Sequence, residues 1–459
     1  GEWSWTEPRS YGNGANGKIN ELALKSAIIY WLTGNEKYAK FSADILWQFA
    51  NGAQYQNLIN GNKDRVGFLG IQTLSDNGYR PLILTYDFIY DYYTKKGYDT
   101  KPVEISFLKF AESVRIRGFV QNNWAAAEVP MLVWPALVVD DQEKRDYYLD
   151  YFLSKDYVNG SYGQLSLPSM IESHLAADGY WKEPNNYHNY PIRYILYGVV
   201  AMEKNGYSVT QDNPEIFKSS FILSQYLFPN RKSAGWGDQV KRSSQSAEFL
   251  ELMLPIAEKY QSPYTGRIKA ELKVNLDDGH DRSKSGWMGL LLYKNTITQP
   301  KSVLALPVSD HQSFAGLSYL RNGEDKEYGL MLTVNGGNFN HTHAHGPAIE
   351  LYGRGYVLGQ DSGADFSYDT DFHKNYLVQW AAHNTVVVDG VSRRLNDSYN
   401  NPGISTVTNV YMEPKEEQRP VSEYNSYVDT MAIDKSTLAE QRRTLGIVRL
   451  SPKTGYYID

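Results

Sequence analysis

Five of the nine histidines in this 459-residue chain fall between Asn338 and Gly390: His341, His343, His345, His373 and His383. In the run HTHAHG the first three occupy alternate positions, the spacing by which an extended strand turns several imidazoles to one face. Asp361 follows at the end of another apolar segment. Neutral imidazoles with one carboxylate are a usual ligand set for a zinc-like ion. The pattern therefore predicts His345, Asp361 and His383 as metal ligands and leaves His343 free for chemistry. The competing reading is a solvated polar strand, and the density of so rare a residue argues against it.

A second group is Asp178 to Tyr194, DGYWKEPNNYHNYPIRY, which gathers Tyr187, His188, Tyr190, Arg193 and Tyr194 at the start of a predicted helix. A phenol near an arginine at a helix entry can lose or hand over a proton with less penalty than one in open water. For any single tyrosine the alternative is packing between helices. A third group, Gln121 to Trp124, offers Asn123, which by itself reads equally as a helix N-cap. Tyr368 and Tyr376 lie between the proposed ligands. Arg231 and Lys232, and Arg393 and Arg394, are basic pairs that would suit an acidic chain or simply solvent. Asp361, Asp365, Asp369 and Asp371 have no EF-hand spacing. Glu128, Glu172, Glu183 and Asp178 are the carboxylates open to a hydrolase, without a declared pair. There is no P-loop, dinucleotide fingerprint or Gly-x-Ser-x-Gly elbow.

These groups need positioning elements of two kinds. Apolar residues at helical intervals predict helices at 18–32, 36–49, 78–93, 103–120, 125–139, 143–153, 165–176, 191–204, 213–227 and 245–258. Their succession resembles a helical solenoid or toroid. After about residue 300, β-branched and aromatic runs separated by Gly and Asn predict strands at 313–321, 328–334, 348–360, 384–389, 406–412 and 447–450. Helices first and antiparallel strands second imply two segregated layers or domains, with the polar 262–300 as linker. The chain stops at GYYID, which reads as a strand, so the sheet is expected to be incomplete there.

Composition limits the partners. With 42% hydrophobic and 21% charged residues the chain is globular, and its length predicts two domains. The 37 Tyr, 16 Phe and 10 Trp supply flat apolar faces with polar handles that suit sugar rings. A net charge of −6 gives no basic field for nucleic acid. The absence of cysteine excludes disulfides, thiol catalysis and cysteine-ligated zinc. The longest apolar run, 129–139, is far short of a membrane span.

The motifs His343-Ala344-His345, Asp361-Ser362-Gly363 and His383 to Gly390 (HNTVVVDG) resemble the heparinase II/III-like polysaccharide lyases. The resemblance implies an N-terminal (α/α) toroid catalytic domain at 1–290 and an antiparallel β-sandwich at 301–459. It implies that His343 is catalytic and that His345, Asp361 and His383 hold one structural divalent ion, zinc first and manganese or calcium as alternatives. Several relatives have aspartate where this chain has His345. Tyr187 takes the acid/base role, with Tyr190 as the fallback, and Asn123 would hydrogen-bond a substrate carboxylate. Trp124 stands where several relatives have histidine and becomes a stacking platform; His188, Arg193, Tyr368 and Tyr376 complete the substrate-contact set. The implied activity is β-elimination on an anionic, uronic-acid polysaccharide outside a bacterial cell, secreted or periplasmic. The sparse basic residues point to alginate, with heparin, heparan sulfate or another glycosaminoglycan as the alternative polymers. A toroid glycoside hydrolase and a carbohydrate-binding protein without catalysis are the other classes.

Overall fold

A computed structural model describes residues 15–58, 68–70, 78–175, 179–183, 185–282, 286–292, 297–312, 315–335, 341–391, 405–413, 425–434 and 437–459. Asp178, Arg393 and Arg394 lie outside them. The chain divides into two compact units interleaved in sequence: 1–173 with 190–214 and 281–294, and 174–189 with 215–280 and 295–459. Among the described residues no helix is long and apolar enough to cross a membrane.

The first unit is built on helices. Ala15–Thr33 and Glu36–Ala53 form an antiparallel pair. The turn between them is made by Gly34 at positive φ, and Asn35 caps the second helix through its side chain and the Lys37 N–H. Arg80–Lys95, Lys101–Arg117, Val129–Val138 and Gln142–Leu153 follow, close to their predicted spans. Pro81, Pro102 and Pro130 sit in first turns, where the missing N–H costs nothing. A short hairpin joins β1 (Tyr157–Asn159) to β2 (Tyr162–Gln164). Helix Asn185–Lys204 starts six residues earlier than predicted, so Tyr187 lies in its first turn, and that turn, up to Asn189, belongs to the second unit.

Among the described residues the second unit carries two antiparallel sheets. One is a five-stranded meander of β3 (Ser309–Gln312), β4 (Leu317–Arg321), β5 (Met331–Asn335), β6 (Ala348–Gly353) and β7 (Tyr356–Leu358). The other is a four-stranded meander of β8 (Ser405–Glu413), β9 (Asn425–Asp434), β10 (Glu440–Ser451) and β11 (Thr454–Ile458). Leu320, Leu332, Val334 and Ile349 of the first pack on Val428, Leu445 and Ile447 of the second, which makes a sandwich core. The opposite face of the five-stranded sheet, with Tyr319, Met331, Ala348 and Tyr352, packs on Leu223, Tyr226, Phe228 and Trp236. β4 and β5 are accordingly buried along their whole length, on both faces.

Several expectations are corrected. Residues 265–277 of the predicted linker form a helix, because Ile268 and Leu272 are buried and Glu271 is paired with both Arg231 and Arg267. The predicted helix at 213–227 is two short turns. The predicted strand 348–360 is a hairpin broken at Arg354-Gly355, both at positive φ. The predicted strand 384–389 is irregular, because the Asn384 amide donates to the carbonyls of Ile349 and Gly359 and replaces a ladder partner. Leu332→Ala should cost about 2–5 kcal/mol in denaturant unfolding; a loss below about 1 kcal/mol would contradict a core shared by the two sheets.

Candidate acid–base and metal site

The site lies in the second unit and grows from β6. Strand alternation turns Glu350 to the same face as Ala348 and Tyr352, toward segment 233–243. There its carboxylate accepts from Arg242 Nη1 (3.0 Å) and Nη2 (2.5 Å), from the Gly235 N–H (2.9 Å) and from the Asp361 N–H (2.5 Å). One buried ion pair thus fixes two loops against the sheet, the loop of Asp238 and the loop of Asp361. Where these loops cross, Gly363 has φ +63° and a Cβ there would sit 2.3 Å from the Gln239 carbonyl, so only glycine fits.

Asp238 is the hub. Its carboxylate accepts from His341 Nδ1 at 2.8 Å and from His343 Nε2 at 2.9 Å, and His373 Nε2 lies 3.7 Å away. Burial works against ionisation, but the hydrogen bonds from His341 and His343 outweigh it and hold the carboxyl well below the usual range. The Asp238 N–H also donates to the His341 carbonyl at 2.9 Å. This double tie holds His341 at φ +61°, a left-handed conformation that costs a non-glycine residue about 1–3 kcal/mol.

On the outer side of His341 its ring lies parallel to that of Tyr187, with centroids 3.6 Å apart and an angle of 6°. The Tyr187 hydroxyl bonds the Tyr368 hydroxyl at 2.5 Å. Burial, then the neighbouring Tyr368, raises the Tyr187 pKa far above the ordinary phenol value, so the group is held as a proton donor.

On the inner side of Asp238, the ligand atoms of His343, His345 and His383 lie within 4.8 Å of one another. Three ring nitrogens there, Nδ1 of His343, Nδ1 of His345 and Nε2 of His383, are buried without a hydrogen-bond partner. The opposite nitrogen of His343 is bonded to Asp238, and that of His383 to Asp361 at 2.6 Å. Each carboxylate fixes the tautomer and turns a lone pair inward, the arrangement by which carboxylates orient metal-binding histidines. The Gly237 N–H points to Nε2 of His345 at 3.3 Å, a contact that His345 gives up in the tautomer whose Nδ1 lone pair faces the other two rings. Burial, then the neighbouring His383 and His343, pushes the His345 pKa well down and keeps it neutral. The donor set fits a zinc-like ion. Asp238, His343 and His373 form another group of similar spacing.

This arrangement departs from the sequence reading in two respects. His343, expected to be free for chemistry, is buried between Asp238 and the other two rings, and His341 is the imidazole that meets Tyr187. Asp361, expected to be a ligand, has both oxygens engaged, by His383 and by the Gly363 N–H. The structure thus gathers His345 and His383 as expected, adds His343, and puts Asp361 behind His383. Sequence reasoning missed Asp238 and gave His341 no role. The alternate spacing of HTHAH was the one signal for His341, and nothing local marked Asp238.

The remaining candidates are distributed over both units. His188 is fully buried, accepts from the Trp181 N–H and contacts the Ser219 carbonyl through Nε2, and burial lowers its pKa to about 4. It frames the loop before Tyr187 and has no face for a substrate. Tyr376 is 44% exposed and stacks on Phe372. In the first unit, Asn123 is buried beside the turn Trp124–Ala127, and it is Asn122 that accepts from the Trp124 N–H. Trp124 and Tyr190 pack around Ala127 and Tyr194, and Arg193, one helical turn beyond Tyr190, is half-buried. Glu128 and Glu183 are both buried; Glu128 accepts from the Phe119 N–H and Glu183 from the Trp181 indole. Such carboxylates are framework acceptors rather than a hydrolytic pair.

The fold is shared with solved heparinase III-type structures. A heparan sulfate lyase HepC mutant from Pedobacter heparinus superposes with a TM-score of 0.62 at 14% identity, covering 98% of this chain and 64% of that one. A heparinase III gene product gives 0.59 at 14% identity, covering 97% and 66%. In sequence, residues 177–289 match a family model described as the second domain of endo-acting ulvan lyase. An endo-acting ulvan lyase of Formosa agariphila is 25% identical over 502 aligned positions, which take in 99% of this chain and 60% of the relative. The chain therefore spans somewhat under two thirds of the length of these proteins. The comparisons bear out the resemblance to the heparinase II/III-like polysaccharide lyases.

Elemental analysis of the purified protein should find about one divalent ion per chain, held by His343, His345 and His383. Asp361→Asn should weaken ion binding about 10–100-fold in competition with a chelator; unchanged affinity would show that Asp361 does not orient His383.

Proposed function

We propose that this chain is the catalytic part of a polysaccharide lyase that cleaves a uronic-acid polymer by β-elimination. The observation that carries the reading is the Tyr187–His341 stack, with Asp238 behind the imidazole and Tyr368 on the phenol. Elimination requires removal of the proton beside the uronate carboxylate and delivery of a proton to the departing glycosidic oxygen. His341, whose Nδ1 is bonded to an ionised Asp238, is the base in this reading, and its Nε2 takes the C5 proton. Tyr187, held protonated, gives its proton to the leaving oxygen, and Tyr368 steadies that hydroxyl. The electron pair left at C5 forms the double bond as the C4–O bond breaks. His343 is too enclosed for either step. His343, His345 and His383 would hold an ion, zinc in this proposal, which would supply a fixed positive centre tying segment 341–347 to His383; the residues around it keep His343 and Asp238 in register. Asn123, Trp124, Tyr190 and Arg193 keep the substrate-contact roles implied by the resemblance. The finer architecture, an (α/α) toroid over 1–290 ahead of the sandwich at 301–459, belongs to the same proposal and is supported by the fold shared with heparinase III-type proteins.

The matched family model and the Formosa agariphila relative both carry ulvan in their descriptions, so ulvan replaces alginate as the polymer to test first. A scarcity of basic residues was a weak guide to the polymer, since a few well-placed cations are enough to recognise an anionic chain. A polymer too large to enter a cell also supports action outside the cytoplasm.

Incubation with ulvan, heparan sulfate, hyaluronan and alginate should generate the absorbance of an unsaturated uronyl product, first with ulvan. Tyr187→Phe and His341→Ala should each lower turnover about 10²–10⁴-fold while the protein stays folded. Saturated products would favour a hydrolase, and no product from any uronate polymer with metal-loaded protein would overturn the reading.

A further inference from the structure

The segment between Asp361 and His383 has an outward face that the proposed chemistry does not use. Residues His373–Leu377 form a π-helical turn, a wide turn that recurs at functional sites. Its inner side holds the buried His373 and Leu377, and His373 lies against Asp238 and near Tyr368. Its outer side presents Phe372 at 57% and Tyr376 at 44% exposure, with rings stacked 5.5 Å apart at 19°. Lys374 lies between them in sequence and pairs with Asp369 at 3.3 Å, at the surface. Such an exposed pair is weak, so the ammonium can be given to another anion at little cost. Two exposed aromatic rings on one turn suit the apolar face of a sugar ring, and an exposed ammonium elsewhere on the same turn suits a carboxylate or sulfate of the same polymer.

We propose that Phe372, Lys374 and Tyr376 form a binding subsite for an anionic sugar of the polymer, next to the residue under attack. The ligand class rests on the lyase reading; the exposed ring pair stands on its own geometry. Continuity supports this occupant, because the same segment delivers Tyr368 to the Tyr187 hydroxyl only four residues before Phe372. A chain held at Tyr187 would extend over this turn, whose inner side contacts the acid–base cluster.

The test uses the full chain and ulvan as the probe, read by retardation in ulvan-containing gels and by KM for product formation. Phe372→Ala and Tyr376→Ala are surface changes and should leave thermal unfolding unchanged, while each weakens retention and raises KM about fivefold. Lys374→Ala should weaken retention at low salt and much less at high salt. Product formation with wild-type retention and KM in Phe372→Ala would overturn the subsite and leave the lyase reading standing. Weakened retention of Phe372→Ala, with no product from the wild type on any uronate polymer, would support the subsite and remove the lyase reading. Wild-type protein that ulvan gels do not retard would overturn the subsite.

Discussion

A carboxylate sealed from water persists as an anion only if donors replace its lost hydration. Asp238 meets that condition by taking a hydrogen bond on each oxygen from a different histidine of one short run. The geometry of HTHAH makes this possible. His341 and His343 lie on an irregular run in which His341 is left-handed, and its tie to the Asp238 backbone brings both rings to one carboxylate. Once they do, the two imidazoles are no longer independent. His341 presents its outer face to Tyr187, and His343 turns its second nitrogen toward His345 and His383. A single anion thereby serves a proton-transfer pair on one flank and a cation-ready cluster on the other.

The rest of the unit keeps that carboxylate in place. Glu350, on a strand buried on both faces, binds Arg242 and the backbone of two loops. Removing one partner of so buried a pair costs about 3–5 kcal/mol, because the other charge is stranded. The sandwich core then fixes the strand, through Ile349 on one face and Ala348 and Tyr352 on the other. Each layer is needed by the next: the core sets the strand, the strand sets Glu350, and Glu350 sets the loops that carry Asp238 and Asp361. Strain at His341 is tolerable only within such support.

The sequence revealed the ingredients more fully than their pairing. The alternate histidines, Asp361, His383 and Tyr187 were all visible as types and spacings, and so was the change from helical to strand periodicity near residue 300. Which histidine meets which partner was not, because shifting the assignment by two residues along an extended run preserves the face and changes only the neighbours. Asp238 was invisible because its partners lie more than a hundred residues away. The helix at 265–277 was hidden by polarity: its buried face includes an Arg–Glu pair that a hydrophobic pattern scores as solvent-facing. The strand expected at 384–389 failed because one asparagine side chain took over backbone bonds, a substitution that propensity does not register.

The most direct test is a metal titration of Asp238→Asn followed by product formation from ulvan. The asparagine keeps the shape and loses the charge that two histidines share. If one carboxylate supports both flanks, ion affinity should fall about 10–100-fold and turnover should not recover when the ion is forced in by excess. Wild-type affinity, or full turnover once the ion is restored, would contradict the account.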